Sequence, residues 1–454
     1  MWPGTADAGT VARGIADPLI ISSMTADQQK EALHVIGSHL RATHVRFVVS
    51  WASAQPDGPG VFDPTYMARV TSAVSLARGE GLDVIITFQE VPKWASDPQF
   101  WTDDKYKRNY AMSSAVGLPA FQSFCGDFAT QFKGEVFAYE CWNEPNLPSY
   151  LFPQVTKQDQ YFGVHLYVKM LRRCSAGIRA VEPPPPVGAY VVAGATAPYG
   201  SPISPSHPTP PQSFAAEIKK ITGVSALFDA YSHHPYTPGA SRHLEPEIGP
   251  RDTKTTVNLG NLATLLKVFP GKPFFLTEYG YQTAACASFS GQYVDRVTQA
   301  RYLTRAYALA ARFPQVKLLM WFLLSDYKPA DPYKGFYTGL RSSLGNAKPA
   351  WYAFARGNHL TLIAPPSITP GSTLTLRGQL KCDSVGGVAG KELVVERRLA
   401  GGLWSTVRTV SSGAATVDAE AGFYRAQVKP KASASYRVRW LGVVTSPTRY
   451  VVVR

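Results

Sequence analysis

The sequence predicts an α/β fold, a (β/α)8 barrel, followed by a small all-β sandwich, and three observations carry that expectation. From residue 15 to about residue 358, short apolar runs alternate with longer amphipathic stretches. The runs are apolar at nearly every position, as in parallel strands buried on both faces, and eight such strands with a helix after each close into a barrel. From Ile363 onward the period changes to two, with Gly-, Ser- and Pro-rich turns between short segments and no helical period, the pattern of a sandwich. Finally, the Gly-rich phosphate turn that a doubly wound sheet usually carries after its first strand does not occur.

The first barrel strand falls near Gly14–Ile21, where the pattern is weakest. The others fall at His44–Trp51, Asp83–Gln89, Val136–Trp142, Val191–Thr196, Phe228–Ser232, Pro273–Glu278 and Leu318–Leu324. Helical periodicity marks Ala26–Leu40, Tyr66–Gly81, Leu118–Phe132, Gln158–Val181 and Arg296–Phe313. Two inserts, Pro198–Gln212 and Tyr236–Val257, follow the fifth and sixth strands, which puts both on the C-terminal face of a barrel, where sites form. Glu182 and the four prolines after it read as a stiff helix stop. Sandwich strands are expected at Thr373–Leu380, Glu392–Arg398, Ser405–Val410, Phe423–Val428, Tyr436–Trp440 and Tyr450–Val453. After a helix at Trp351–His359, the boundary near Ala364-Pro365-Pro366 divides the chain into residues 1–362 and 363–454.

Of the 454 residues, 45% are apolar and 17% charged, with 22 Phe, 23 Tyr and 9 Trp, so the chain buries a large core and is not intrinsically disordered. The apolar stretch Leu318–Leu324 is far short of the ~20 residues of a membrane span. Five cysteines without a C-x-x-C pair exclude a zinc ribbon or a disulfide-stapled mini-scaffold, and the odd count leaves at least one thiol free or paired outside the chain. The net charge is +14, and residues 363–454 hold 13 Lys+Arg against five Asp+Glu, or +8. There is no run of five basic residues, and Arg397, Arg398, Arg437 and Arg439 alternate as strand residues do. The plain reading is a solvated basic face without a nucleic-acid partner, and the alternative is contact with an acidic polymer or an anionic cell surface.

Two peptides carry the chemistry. Ala138-Tyr139-Glu140-Cys141-Trp142-Asn143-Glu144-Pro145-Asn146 ends the fourth strand, and Pro273-Phe274-Phe275-Leu276-Thr277-Glu278-Tyr279-Gly280 ends the seventh. Each delivers a carboxylate to the same barrel mouth. Hydrolysis of a glycoside with retention needs two carboxyls about 5–5.5 Å apart, one as nucleophile and one as acid/base. The bland alternative is a strand cap or an ion pair with an arginine.

With Trp142-Asn143-Glu144-Pro145 on the fourth strand and Leu276-Thr277-Glu278-Tyr279-Gly280 on the seventh, the barrel resembles the retaining glycoside hydrolases of clan A, within it families 39 and 5 and their cellulase-like relatives. The resemblance implies Glu144 as general acid/base, Glu278 as nucleophile and Asn143 as a hydrogen-bond partner of the sugar 2-hydroxyl. It maps a His-x-Tyr onto His234 and Tyr236 at the end of the sixth strand, Tyr236 donating to the nucleophile and His234 lining the subsite. It also implies Trp321, in Met320-Trp321-Phe322 on the eighth strand, as the floor of the subsite. Arg46, in the alternating set Arg46, Val48 and Ser50, would hold Glu278 ionised, with a barrel-bottom ion pair as its alternative. Trp51, Gln89 and Trp94, near strand ends, complete the candidate substrate contacts. Further aromatics crowd the loops after strands three and eight: Phe100, Trp101, Tyr106 and Tyr110, then Tyr327, Tyr333, Phe336 and Tyr337. His233 and His234 lack a third ligand, so no metal and no cofactor is expected.

The function expected is a retaining glycosidase acting on a plant or microbial poly- or oligosaccharide. A transglycosylase or arabinofuranosidase-type exo-enzyme of the same clan is the first alternative, and a non-catalytic carbohydrate-binding surface protein the second. The sandwich resembles bacterial immunoglobulin-like accessory modules, which bind glycan, tether to a surface or pack on the barrel, with Trp404 and Trp440 as sugar platforms or core. The N-terminus Met1-Trp2-Pro3-Gly4 has no signal-like pattern. Because polysaccharides lie outside the cell, a secreted or cell-surface protein is expected, its signal segment absent from this chain.

Overall fold

The computed structural model describes residues 11–101, 108–201, 207–237, 245–285, 293–328, 335–355, 358–382, 386–416, 421–441 and 443–454. Eight parallel strands close into a barrel: β1 (Ala12–Ala16), β2 (His44–Ser50), β3 (Asp83–Gln89), β4 (Val136–Glu140), β5 (Tyr190–Thr196), β6 (Ala230–His233), β7 (Phe274–Tyr279) and β8 (Val316–Phe322), with β8 paired back onto β1. Every strand follows its sequence pattern to within a few residues. The departure is at β1, which stops at Ala16. Pro18 cannot extend the ladder, and Leu19–Ser22 forms a short helix instead. The helix Pro211–Lys220 and the short turn Ala263–Leu266 cover strands where no helical period was legible.

Period-two alternation divides each strand between two cores. Ile85, Ala138, Val192, Phe275, Leu318 and Met320 pack in the barrel interior. Val49, Phe88, Tyr139, Tyr231, Leu319 and Trp321 pack outward beneath the helices. The helices Gly117–Gln131 and Phe162–Arg179 approach closely over β4. A Cβ on Gly177 would lie 2.3 Å from the carbonyl oxygen of Gln122, so only glycine fits there.

The C-terminal strands are β9 (Asn358–Leu360), β10 (Ser367–Ile368), β11 (Leu374–Cys382), β12 (Gly386–Gly387), β13 (Glu392–Arg398), β14 (Ser405–Ser411), β15 (Phe423–Val428), β16 (Ala434–Trp440), β17 (Val444–Thr445) and β18 (Arg449–Val453). One sheet runs β10-β18-β16-β13-β14 with β17 on β16, and the facing sheet runs β12-β11-β15 with β9 on β11. The last barrel helix is shorter than its sequence pattern, Pro349–Ala355, and the segment after it joins the sandwich as β9. Tyr352 of that helix meets Trp440 with ring centroids 4.6 Å apart, and Lys391 lies over both rings. Trp440 is therefore packing. Trp404 is flanked by the guanidinium groups of Arg398 and Arg437.

Candidate active site

At the C-terminal mouth, the inward positions of the strands carry polar groups instead of apolar ones. Arg46 from β2 has no exposed surface. Its Nε donates to Glu140 Oε2 at 2.8 Å, one terminal nitrogen to Glu278 Oε1 at 2.6 Å, and the other to Asn143 Oδ1 at 2.7 Å. Glu140 also accepts from the hydroxyls of Thr87 (2.7 Å) and Thr277 (2.8 Å). One buried cation thus ties the ends of β2, β4 and β7 together, and the alternative of an ion pair confined to the barrel bottom is set aside by its contact with Glu278.

The two predicted carboxylates meet. Glu278 Oε2 accepts from the Tyr236 hydroxyl at 3.0 Å, and Glu144 Oε1 lies 2.9 Å from His234 Nδ1. Ligand-type atoms of Glu144, His234 and Glu278 all fall within 4.8 Å of one another. These three residues have the donor chemistry to approach a cation, but each is already engaged in the hydrogen bonds just described. The spacing suits a retaining pair.

The electrostatics separate the two carboxyls. Burial pushes Glu144 well above the usual carboxylate range, the neighbouring Glu278 pushes it further, and Arg46 opposes only at a distance. Burial raises Glu278 as well, but Arg46 and the Tyr236 hydroxyl pull it back. The protonated form is therefore favoured more strongly at Glu144 than at Glu278. The hydrogen-bond network agrees. Thr277 spends its one proton on Glu140 and must accept from His234 Nε2, 3.2 Å away. His234 is held neutral by burial and by Arg46, which leaves Nδ1 as an acceptor for the Glu144 proton.

The backbone beneath Glu144 is strained. Trp142 and Glu144 both have positive φ (132° and 42°), a region that disfavours side chains. The turn is held by Asn146, fully buried, whose Oδ1 accepts from the Ala197 amide at 2.8 Å and whose Nδ2 reaches the Thr209 carbonyl at 3.1 Å. The Trp142 indole donates to the Tyr150 carbonyl at 2.8 Å. A disulfide between Cys141 and Cys174 fastens the same turn to the helix Phe162–Arg179. Cys125 is a buried free thiol, and Cys382 is buried in the sandwich. The fifth cysteine, Cys286, lies outside the described residues.

A cavity of about 330 Å³ opens above the pair, lined by Val48, Gln89, Asn143, Glu144, Tyr236 and Glu278, with Tyr150, Tyr199, Phe322 and Phe336 around them. Gln89, Asn143 and Tyr236 stand where the sequence placed them. Three tryptophans do not. Trp321 is fully buried on the outward side of β8, its indole donating to the Thr338 carbonyl at 2.8 Å, and Phe322, one residue on, supplies the aromatic wall. A one-residue step along a strand changes the face. Trp51 is buried against Phe121, Phe124 and Trp94, while the Trp94 indole donates to the Gln55 carbonyl, and neither lines the cavity. His234 is corrected in part, because it stands fully buried behind Glu144 rather than lining the subsite.

Of the loop aromatics, Tyr110 packs with Phe152 and Phe100, and Tyr327 is buried, so these anchor loops. Tyr106 and Tyr333, with parts of both inserts, lie outside the described residues. The residues that sequence reading passed over are Glu140, Thr87, Thr277 and Phe322. Alternation from the apolar interior residues Ile85, Ala138, Phe275 and Met320 places all four inward, and that was the available signal.

A barrel with this pair of strand-end carboxylates is the architecture of the retaining glycoside hydrolases. The family model described as Cellulase (glycosyl hydrolase family 5) matches residues 21–311, nearly two thirds of the chain. The chain belongs to glycosyl hydrolase family 5 and is a retaining glycoside hydrolase. Among solved structures it is similar to a family 39 glycoside hydrolase from the gut symbiont Bacteroides cellulosilyticus WH2, at 15% identity and TM-score 0.55 over 94% of this chain and 81% of that one. A GH5_18 protein from Streptomyces cattleya in complex with GlcNAc is similar at 15% identity and TM-score 0.56, over 76% and 79%. The exo-beta-1,4-mannosidase Op5Man5 from Opitutaceae bacterium strain TAV5 is similar at 18% and 0.51, over 77% of this chain and 61% of that one, so the chain spans about three fifths of its length. At these identities the likeness establishes the fold. No curated protein matches the sequence. Among the described residues, no helix is long and apolar enough to cross a membrane.

Proposed function

We propose that Glu278 is the nucleophile and Glu144 the general acid/base of a double displacement on a plant or microbial poly- or oligosaccharide. The observation that supports this is the asymmetry of the pair: Glu278 is held by Arg46 and Tyr236, whereas Glu144 faces a neutral imidazole. The Glu278 carboxylate attacks the anomeric carbon as the bond to the leaving oxygen breaks, and Glu144 gives its proton to that oxygen. Glu144 then takes a proton from water, which attacks the anomeric carbon and releases Glu278. Asn143, fixed by Arg46, is placed to meet the sugar 2-hydroxyl, and the aromatic wall of Phe322 and Phe336 offers apolar faces to a pyranose ring.

A secreted or cell-surface location belongs to the same reading, and the Cys141–Cys174 bond supports it, because such bonds persist in oxidising compartments. The basic sandwich is the part of the molecule suited to hold an acidic polymer or surface.

The test is hydrolysis across a panel of aryl glycosides and polysaccharides, with wild type beside Glu278→Ala. Activity on one sugar that is lost in the variant, and restored by azide with inverted anomeric configuration, is expected. Azide enters the space vacated on the nucleophile's face and displaces once. Glu144→Ala with azide gives retained configuration instead. Turnover that survives Glu278→Ala removes that residue from its role.

A further inference from the structure

A second polar cavity, of about 480 Å³, opens on the sandwich. Its lining includes Arg397, Arg408, Lys429, Gln427, Tyr436 and Thr373, from strands β13 to β16 and the turns beside them, and, among the described residues, no carboxylate. Two arginines on the same sheet are neutralised. Arg437 and Arg439 both pair with Glu396, at 2.6 and 3.2 Å. Arg397, Arg408 and Lys429 have no such partner among the described residues, and the one hydrogen bond of Arg408 goes to the Gln427 carbonyl at 3.4 Å.

Two of the lining residues also carry buried, unsatisfied donors. Tyr436 is 1% exposed, yet its buried hydroxyl has no hydrogen-bond partner, and neither does the buried Nε of Arg397. Buried donors left unmet cost stability unless something completes them. A bound anion supplies the negative charge that the three cations lack. The volume falls in the range of small-molecule sites and admits a sugar unit.

We propose that this cavity binds an anionic sugar unit, carboxylated or phosphorylated, of an acidic polysaccharide, and so holds the enzyme on its substrate or on a surface bearing that polymer. This deepens the surface-contact reading above and rests on it. The lining shares no residue with the catalytic cavity, so binding there and turnover are separable.

The experiment measures affinity of the full chain for polygalacturonate, for a phosphomannan, for a neutral mannan and for single-stranded DNA at physiological ionic strength. Wild type is compared with Arg408→Gln/Lys429→Gln and with Lys381→Gln/Arg454→Gln, which removes the same charge elsewhere on the domain. Binding to one of the two acidic polysaccharides, and not to the neutral one, is expected to weaken about tenfold or more in the first variant, as for loss of charge-assisted contacts, and less than about threefold in the second. Equal losses in both double variants overturn the site but leave the surface-contact reading standing. Absence of binding to either acidic polysaccharide overturns both, and DNA bound as tightly as the glycan overturns the sugar assignment. Turnover of an aryl glycoside unchanged in both double variants is expected. Its loss in Arg408→Gln/Lys429→Gln would overturn the separation of site from barrel.

Discussion

Glu144 shows how an acid is kept ready at the expense of the fold. Its carboxyl is buried beside Glu278 and its ordinary value of 4.5 is raised well above that. The unfolded chain ionises it freely near neutral pH while the folded chain resists. Its contribution to stability is therefore complete below the ordinary value and is lost as pH rises through the raised one. Glu144→Gln is expected to raise the melting temperature at pH 7, and the gain should vanish as pH falls towards 4. Equal melting temperatures at both pH values would mean that the carboxyl is not raised. The same substitution should lower turnover of substrates with poor leaving groups by about 10²–10⁴, the usual contribution of a positioned acid.

At the level of single strands, β8 separates packing from function within two adjacent residues. Trp321 points to the helices and donates to Thr338, whereas Phe322 points to the cavity. Phe322→Ala is expected to raise KM or lower kcat/KM on a matched glycoside. Trp321→Phe should lower the melting temperature with kinetics close to wild type. The reverse pattern would restore Trp321 to the subsite. On β4 the strain at Trp142 and Glu144 is borne by the Asn146 bonds and by the disulfide, which explains why the peptide carries asparagines on both sides of Glu144. Asn143 faces the cavity and Arg46, and Asn146 braces the turn.

For the whole molecule, the question is whether the sandwich is separable. Leu360, Leu362, Leu374, Trp440 and Val451 belong to the same continuous apolar core as the outer faces of the barrel strands. The Tyr424 hydroxyl donates to the Thr361 carbonyl at 2.5 Å, and Arg449 Nε to the Leu362 carbonyl at 3.1 Å. Removing residues 363–454 strips β9 of its partner strand and uncovers Tyr352. The truncated chain is expected to melt at lower temperature or aggregate, and the full chain to unfold in one calorimetric transition. A truncated barrel with unchanged melting and turnover would show that the sandwich is only an appendage.

The alternation of apolar runs with helical periods determined the barrel from sequence alone, because burial on both faces leaves a local signature at every strand. The two carboxylate peptides were legible for the same reason, since each abruptly ends an apolar strand. The bracing residues were less visible. Glu140 and Thr277 look like ordinary strand positions until closure brings β2, β3, β4, β6 and β7 around one arginine. The tryptophans were misread because an aromatic at a strand end serves core and cavity equally well in composition, and only register chooses between them. Which cysteines pair, and which of the carboxyls Glu144 and Glu278 more readily holds a proton, depend on distances between residues far apart in the chain. Sequence therefore determined the elements and the chemistry they could deliver, and the tertiary structure decided which side chains share the few ångströms where charge, burial and hydrogen bonding act together.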